Sequence, residues 1–169
     1  MRAKLFSLFL WLAIIAAATW FGGTLYQMLV IVPMWAASPP ESVREFFTQT
    51  RYNETIWNFF GPPFMIARSL PLVLAIIFGW HLRPQRTWLL IAVLVKAFGI
   101  AFTLFYIYPI NEVLFLNAGG NHSPEEVRQL VDKWVLSDRI RFVVGTIGFI
   151  SLLRALSLPI ERQRRHSAP

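Results

Sequence analysis

The sequence predicts an all-α protein: an integral membrane bundle of four helices that run up and down, in which residues 1–169 form a single transmembrane domain. Hydrophobic residues make up 56% of the chain and its mean hydropathy is +0.51, which is typical of a protein solvated largely by lipid. The apolar residues are concentrated in four runs, each close to the ~20 residues that a helix needs to cross a bilayer. These runs lie at about residues 5–33, 63–82, 87–110 and 139–158.

The composition excludes several classes of site. The chain has no cysteine, so it cannot hold a disulfide framework, a thiolate zinc site, an iron–sulfur cluster or covalently attached haem. Its histidines, His81, His122 and His166, lie outside the apolar runs, which leaves no ligand pair for a haem at mid-membrane. We therefore expect neither a cofactor nor a metal. The net charge of +7 does not indicate nucleic acid, because the arginines lie between apolar runs instead of forming one basic face.

The first apolar run extends from Leu5 to about Trp35 and is longer than one span requires. A basic start, followed by an apolar stretch with alanines at 16–18, also resembles a secretory signal with a cleavage site. Because the hydrophobicity continues well past these alanines, we expect an uncleaved first helix.

The polar segment 36–62 is expected to hold a short amphipathic helix. Ser38-Pro-Pro-Glu41 places a hydroxyl at the N-cap, a proline at the first helical position and a carboxylate three residues after the cap, which is a helix-start signature. Val43, Phe46 and Phe47 then fall on one face, so this helix should lie at the membrane interface.

Two cations interrupt the second and third runs. Arg68 lies near the start of the second run, and Lys96 lies well inside the third. Each side chain has two placements open to it: the charged head extends to the interface while the stem stays in lipid, or it faces the bundle interior and serves a substrate or a proton. The apolar runs contain no Asp or Glu that could pair with Lys96.

The second polar segment, 112–138, repeats the pattern of the first. Ser123-Pro-Glu-Glu126 is again a helix start, and apolar residues follow it at helical spacing up to Trp134. We expect a second short amphipathic helix here, before the fourth run begins near Ile140. The chain ends in a basic tail, Arg162, Arg164 and Arg165, which suits anionic lipid headgroups.

The charges predict how the bundle is oriented. Acidic residues outnumber basic ones in segments 36–62 and 112–138, whereas the two termini and the turn 81–86 are basic. By the positive-inside rule, both termini and this turn are cytoplasmic. We expect an integral protein of a bacterial inner membrane, with membrane lipids as its first partners.

The order of the helices brings a set of polar residues to the non-cytoplasmic side. In the plainer interpretation, tyrosine and tryptophan form the interfacial belt, Asp138 caps the fourth helix and Arg141 pairs with it. In the functional interpretation, these groups surround a pocket for a hydrophobic small molecule, because a few orienting polar groups above an apolar interior are typical of such pockets. The predicted catalytic residues are Asn111, Arg141 and Asp138, and the predicted substrate-binding residues are Arg68, Tyr108, Trp134, Tyr106 and Lys96.

At these residues the chain resembles a known family. Pro109-Ile-Asn111 ends the third run, and Trp134 and Arg141 follow it, an arrangement similar to the four-helix membrane family that includes the fungal anthrone oxygenases. Position 138 is Asp here, where the family pattern more often has Asn or His. The resemblance implies oxidation of an activated aromatic carbon by dioxygen without metal or flavin, on a cyclic or quinone-like molecule.

Two other functions remain open at this point. The bundle could be an accessory or structural membrane protein whose outer amphipathic segments bind lipid or dock a partner protein. A transporter or channel is the third function, although Lys96 alone at depth makes a thin ion pathway. The sequence gives no oligomeric state.

Overall fold

Four long helices form the computed structural model, which describes residues 1–159 except for the side chains of Asn53 and Trp57. Each helix is long and apolar enough to cross a membrane, and no strand occurs among the described residues. The prediction of an all-α protein with four such helices is confirmed. The predicted basic tail lies outside the described residues. The four helices cover Arg2–Ala36, Glu54–Gly79, Arg83–Leu116 and Pro124–Ser157.

The long helices consist of shorter elements. The first comprises α1 (Arg2–Tyr26), a π-helical turn π1 (Gln27–Ile31) and α2 (Val32–Ala36). Two short helices follow it, α3 (Glu41–Gln49) and α4 (Tyr52–Phe60), and a bend at Gly61 leads into α5 (Pro62–Gly79). The second long helix comprises α4 from Glu54 onwards together with α5. The third long helix comprises α6 (Arg83–Phe102), π2 (Thr103–Ile107), α7 (Tyr108–Asn111) and π3 (Glu112–Leu116), and the fourth is α8 (Pro124–Ser157).

Consecutive long helices are antiparallel neighbours, and together they close a ring. α1 packs against α5 and α8, and α6 packs against α8 and α5. One end of the bundle, which we call the short-turn end, holds the N-terminus, the turn at 80–82 and the end of α8. The other, which we call the long-loop end, holds α3, α4 and the loop 117–123.

Buried apolar side chains form two separate clusters, one towards each end. The short-turn cluster is built around Phe6, Leu10 and Leu89. The long-loop cluster is built around Trp35 and Trp134, whose ring centroids lie 5.0 Å apart. Val43 and Phe47 of α3 belong to this second cluster, so the apolar face predicted for the first amphipathic helix packs onto the bundle.

Two π-helical turns allow long helices to continue through prolines. π1 ends just before Val32-Pro33, and π2 ends just before Tyr108-Pro109. A proline lacks the N–H of a regular turn and its ring clashes with the preceding turn, and a wider π turn accommodates both defects. The third long helix therefore extends to Leu116, beyond residue 110, where the predicted span ends.

The connections differ from the predicted ones in two further respects. The second amphipathic segment is helical, but it is the beginning of α8, because residues 124–157 contain no proline after Pro124 and Gly145 and Gly148 do not interrupt the helix. Ser123 caps this helix as predicted, and Glu126 completes the capping box. Ser38 does not cap α3, which begins at Glu41 after Pro40. A residue that precedes a proline disfavours the helical conformation, so Pro39 cannot be part of that helix.

Candidate functional site

A cavity of about 580 Å³ lies inside the bundle. All four long helices contribute to its lining, the second through both α4 and α5. Its apolar part is lined by residues such as Ala13, Leu72 and Leu152, which belong to or adjoin the short-turn cluster. Its polar part is lined by the amide, guanidinium and phenol groups described below.

Small residues explain why the helices leave this space. Ala16 and Ala17 of α1, Gly99 of α6 and Gly148 of α8 all line the cavity. A Cβ atom added to Gly99 would have no neighbour within 4 Å, so this glycine borders open space. Gly145 has a different role, since its missing side chain admits the ring of Trp20 from α1.

Asn111 and Trp134 join the third and fourth helices at the polar part of the cavity. The indole Nε1 of Trp134 donates a hydrogen bond to Asn111 Oδ1 over 2.7 Å. Trp134 is buried and held by Trp35 and Phe115, so its position is fixed. Because the amide oxygen is engaged, the Asn111 NH₂ group is the donor that remains for another molecule.

Asp138 and Arg141 form a buried ion pair one turn apart on α8. Asp138 is 1% exposed, and the Arg141 side chain is 14% exposed. Arg141 lines the cavity, whereas Asp138 lies behind it and borders a smaller cavity of about 380 Å³ between the first long helix and α8. The carboxylate therefore holds the guanidinium in place instead of facing the large cavity. Asp138 Oδ2 and Arg141 Nε have no hydrogen-bond partner among the described residues.

Arg68 and Lys96 both face the bundle interior. The Arg68 guanidinium lies 5.6 Å from the Trp20 ring centroid, and Lys96 Nζ donates to the Arg68 carbonyl oxygen over 3.2 Å. Both side chains line the cavity, and neither makes an ion pair with a carboxylate in the described part of the chain. The charge of Arg141 acts on Arg68 and that of Arg68 on Lys96, so Arg68 is repelled by both of the other cations.

The two predicted tyrosines lie in different places. Tyr108 lines the cavity and is 37% exposed. Tyr106 does not line it but stacks on Phe102, with ring centroids 5.2 Å apart. Residues two apart on a helix point in nearly opposite directions, so both tyrosines could not face one cavity.

Several lining residues were missed by the sequence analysis. Tyr52 of α4 lies near Asp138 and Arg141; burial, and then the Asp138 charge, raise the pKa of its phenol above the ordinary value, against a smaller opposing effect of Arg141. Gln27 is buried at the start of π1, and its Oε1 atom has no partner among the described residues. The available signal was that Gln27 is one of few polar residues in the first run. Nothing marked Tyr52, which lies in a polar connection.

The polar groups at the cavity do not form a metal-ligand set. No group of three or more His, Cys, Asp or Glu side chains that could hold a metal ion occurs within the described part of the chain. What the lining offers is hydrogen-bond donors and positive charge, together with one exposed carboxylate, Glu112.

Comparison with known proteins identifies the family of the chain. A family model described as anthrone oxygenase matches residues 54–151. No curated protein and no solved structure matches the chain. The matched segment contains every predicted site residue, from Arg68 to Arg141, whereas Trp20, Gln27 and Tyr52 lie before it.

Proposed function

We propose a function for this chain, which belongs to the anthrone oxygenase family. The protein binds a hydrophobic cyclic molecule, of the anthrone or quinone type, in the large cavity and oxidises it with dioxygen. The observation that carries the proposal is a cavity of about 580 Å³ whose walls are mostly apolar and whose polar groups come together at one part. Ligand pockets of proteins commonly have this size and composition.

In the proposed reaction an activated CH₂ group becomes a carbonyl. The carbon loses a proton, the resulting enolate adds dioxygen to give a hydroperoxide, and loss of water leaves the ketone, so that CH₂ and O₂ yield C=O and H₂O. Arg141 and the NH₂ group of Asn111 stabilise the enolate oxygen, because donors fixed before the reaction favour the charge that develops in it. Glu112, the exposed carboxylate of the lining, accepts the proton and returns it to the peroxide oxygen to give the hydroperoxide.

Asp138 has a positioning role in this scheme. Its carboxylate is neutralised by Arg141 and does not line the large cavity, so it does not oppose an anion there. Arg68 and Lys96 add positive charge, and Trp134 fixes the Asn111 amide. Tyr108 contributes to the wall, whereas Tyr106 has no part in the scheme.

The experiment follows oxygen uptake and anthraquinone formation by the purified protein supplied with anthrone. We expect Asn111→Ala to lower kcat/KM by about a hundredfold, as loss of one oxyanion donor does elsewhere. Asn117→Ala, at an exposed asparagine outside the lining, is the matched control and should keep the parent rate. Full activity in Asn111→Ala, or no protein-dependent oxidation of anthrone at all, would refute the proposal.

The packing of α3 and of the start of α8 bears on the alternative of an accessory protein that docks a partner. That alternative requires exposed apolar stripes on these amphipathic segments. Val43, Phe47, Val127 and Val131 are instead buried in the long-loop cluster. These faces are used inside the molecule, which supports ligand binding over docking.

The same proposal includes insertion into a bacterial inner membrane with both termini cytoplasmic. The four long helices and the charge difference between the two ends of the bundle support it. The native chain has no cysteine, so single cysteines report orientation cleanly. In spheroplasts, a membrane-impermeant maleimide should label Glu125→Cys and should label Arg83→Cys only after permeabilisation. The reverse pattern would contradict this orientation.

A further inference from the structure

The exposed residues of the cavity lining all belong to the third long helix. They are Leu104, Tyr108, Pro109, Glu112 and Leu116, whereas the described lining residues of the other helices are buried or half-buried. Four of the five are spaced four residues apart, so they form one stripe along the helix. The cavity therefore reaches the surface along this stripe.

The short helix α4 lines the same cavity. Its residues Tyr52, Ile56 and Phe60, again four apart, line the cavity. α4 is bounded by non-helical residues, Arg51 and Gly61, and it packs mainly on α5. α4 is thus a nine-residue helix along the cavity, with a non-helical residue at each end.

The surroundings of the opening indicate which medium it faces. Leu104 is 47% exposed, and its neighbour Phe105 is 83% exposed. Apolar side chains this exposed suit lipid, and the tyrosines at 106 and 108 suit the level where hydrocarbon meets headgroups. Glu112 lies about one turn further towards the long-loop end.

We propose that the cavity opens sideways into the membrane, between α4 and the third long helix, and that its ligand enters there from the lipid. This rests on the proposed function and adds the source of the ligand, which is a molecule dissolved in the bilayer and not in water. The ligand enters uncharged, because an anion in hydrocarbon is costly, and meets Arg68 and Arg141 only inside.

A single cysteine in this cysteine-free chain tests the route. The Leu104→Cys protein in lipid nanodiscs is compared before and after modification with N-benzylmaleimide, which adds bulk at the opening. Leu94→Cys is the matched control, since Leu94 is 69% exposed on the same helix and does not line the cavity. The probe is anthraquinone delivered in vesicles, detected by stopped-flow quenching of tryptophan fluorescence, because Trp20 and Trp134 line the cavity.

Modification at Leu104→Cys should slow association and dissociation by about tenfold each and leave Kd within about twofold, since an entrance affects rates and not the bound state. Modification at Leu94→Cys should change neither rate. An unchanged association rate after modification of Leu104→Cys would overturn the route while leaving the binding proposal intact. A weaker Kd without slower association would also overturn it, because Leu104 would then be part of the binding site only.

Absence of quenching in the unmodified protein would overturn both this route and the proposed function.

Discussion

Arg141 and Asp138 depend on each other because both are buried. Removing the guanidinium leaves a buried carboxylate without a partner, whereas removing both charges leaves no buried charge that needs a partner. We expect Arg141→Gln to lower the free energy of unfolding by about 3–5 kcal/mol, and the double variant Asp138→Asn/Arg141→Gln to recover most of that loss. Denaturant unfolding in detergent measures both. A double variant as unstable as Arg141→Gln would show that the pair does not act as described.

Tyr52 contributes to the free energy of unfolding, and this contribution changes with pH in the alkaline range. The pKa of its phenol is higher in the folded protein than in the unfolded chain, so folding favours the neutral phenol. The stabilisation by Tyr52 is therefore fully present below the ordinary tyrosine pKa of about 10. This contribution is lost as pH rises above that value, where the unfolded chain ionises first. In an absorbance titration to about pH 11.5, Tyr52→Phe should leave the folded protein's tyrosinate signal unchanged and remove one tyrosine's signal from the unfolded protein. A smaller signal from the folded variant would contradict the raised pKa.

The sequence could identify charged and amide side chains within apolar runs, because burying such groups needs a reason. Arg68, Lys96, Asn111 and Arg141 were found in this way, and the structure brings all four to one cavity. The sequence could not show which of Tyr106 and Tyr108 faces the cavity, because that depends on how the helix is rotated at a π turn. It also could not give Asp138 its place behind Arg141, which depends on how α8 is rotated against the first long helix.

At the scale of elements, the two Ser-Pro-containing signatures show that the same local motif caps a helix at Ser123 but not at Ser38. Ser123→Ala should lower the free energy of unfolding by about 1 kcal/mol and increase amide exchange in the first turn of α8, because a cap is lost. Ser38→Ala is the matched control and should have little effect, since the hydroxyl of Ser42 bonds the Trp35 carbonyl there. Equal effects of the two substitutions would contradict these cap assignments.

The number of long helices could be predicted from hydropathy, but their ends could not. A proline usually stops a helix, and the predicted third span ends at residue 110, directly after Pro109. Whether a π turn absorbs the proline depends on the packing of the following residues, and Ile107, Ile110 and Leu114 are all buried in the long-loop cluster. The burial of these side chains favours continuation of the helix beyond Pro109, and this brings Asn111 within reach of Trp134.

At the scale of the whole molecule, the cavity separates two packed clusters. Each cluster contains large side chains in contact, and the space between them is bordered by alanines and glycines. A bundle selected only for packing would fill this space, because voids of this size forfeit dispersion energy. A ligand that occupies the cavity would supply the missing contacts, and the three cations around it would favour an oxygen that carries negative charge.

Filling the cavity at Gly99 tests this account most directly. Gly99→Leu places a side chain where a Cβ has no neighbour within 4 Å, and Gly22→Leu does the same at an exposed glycine outside the lining. Both substitutions favour the helix, so both proteins should unfold at or above the parent's temperature. We predict that Gly99→Leu loses anthraquinone binding in the tryptophan-quenching assay while Gly22→Leu keeps it. Parental binding by a folded Gly99→Leu protein would contradict the claim that this cavity is the ligand site.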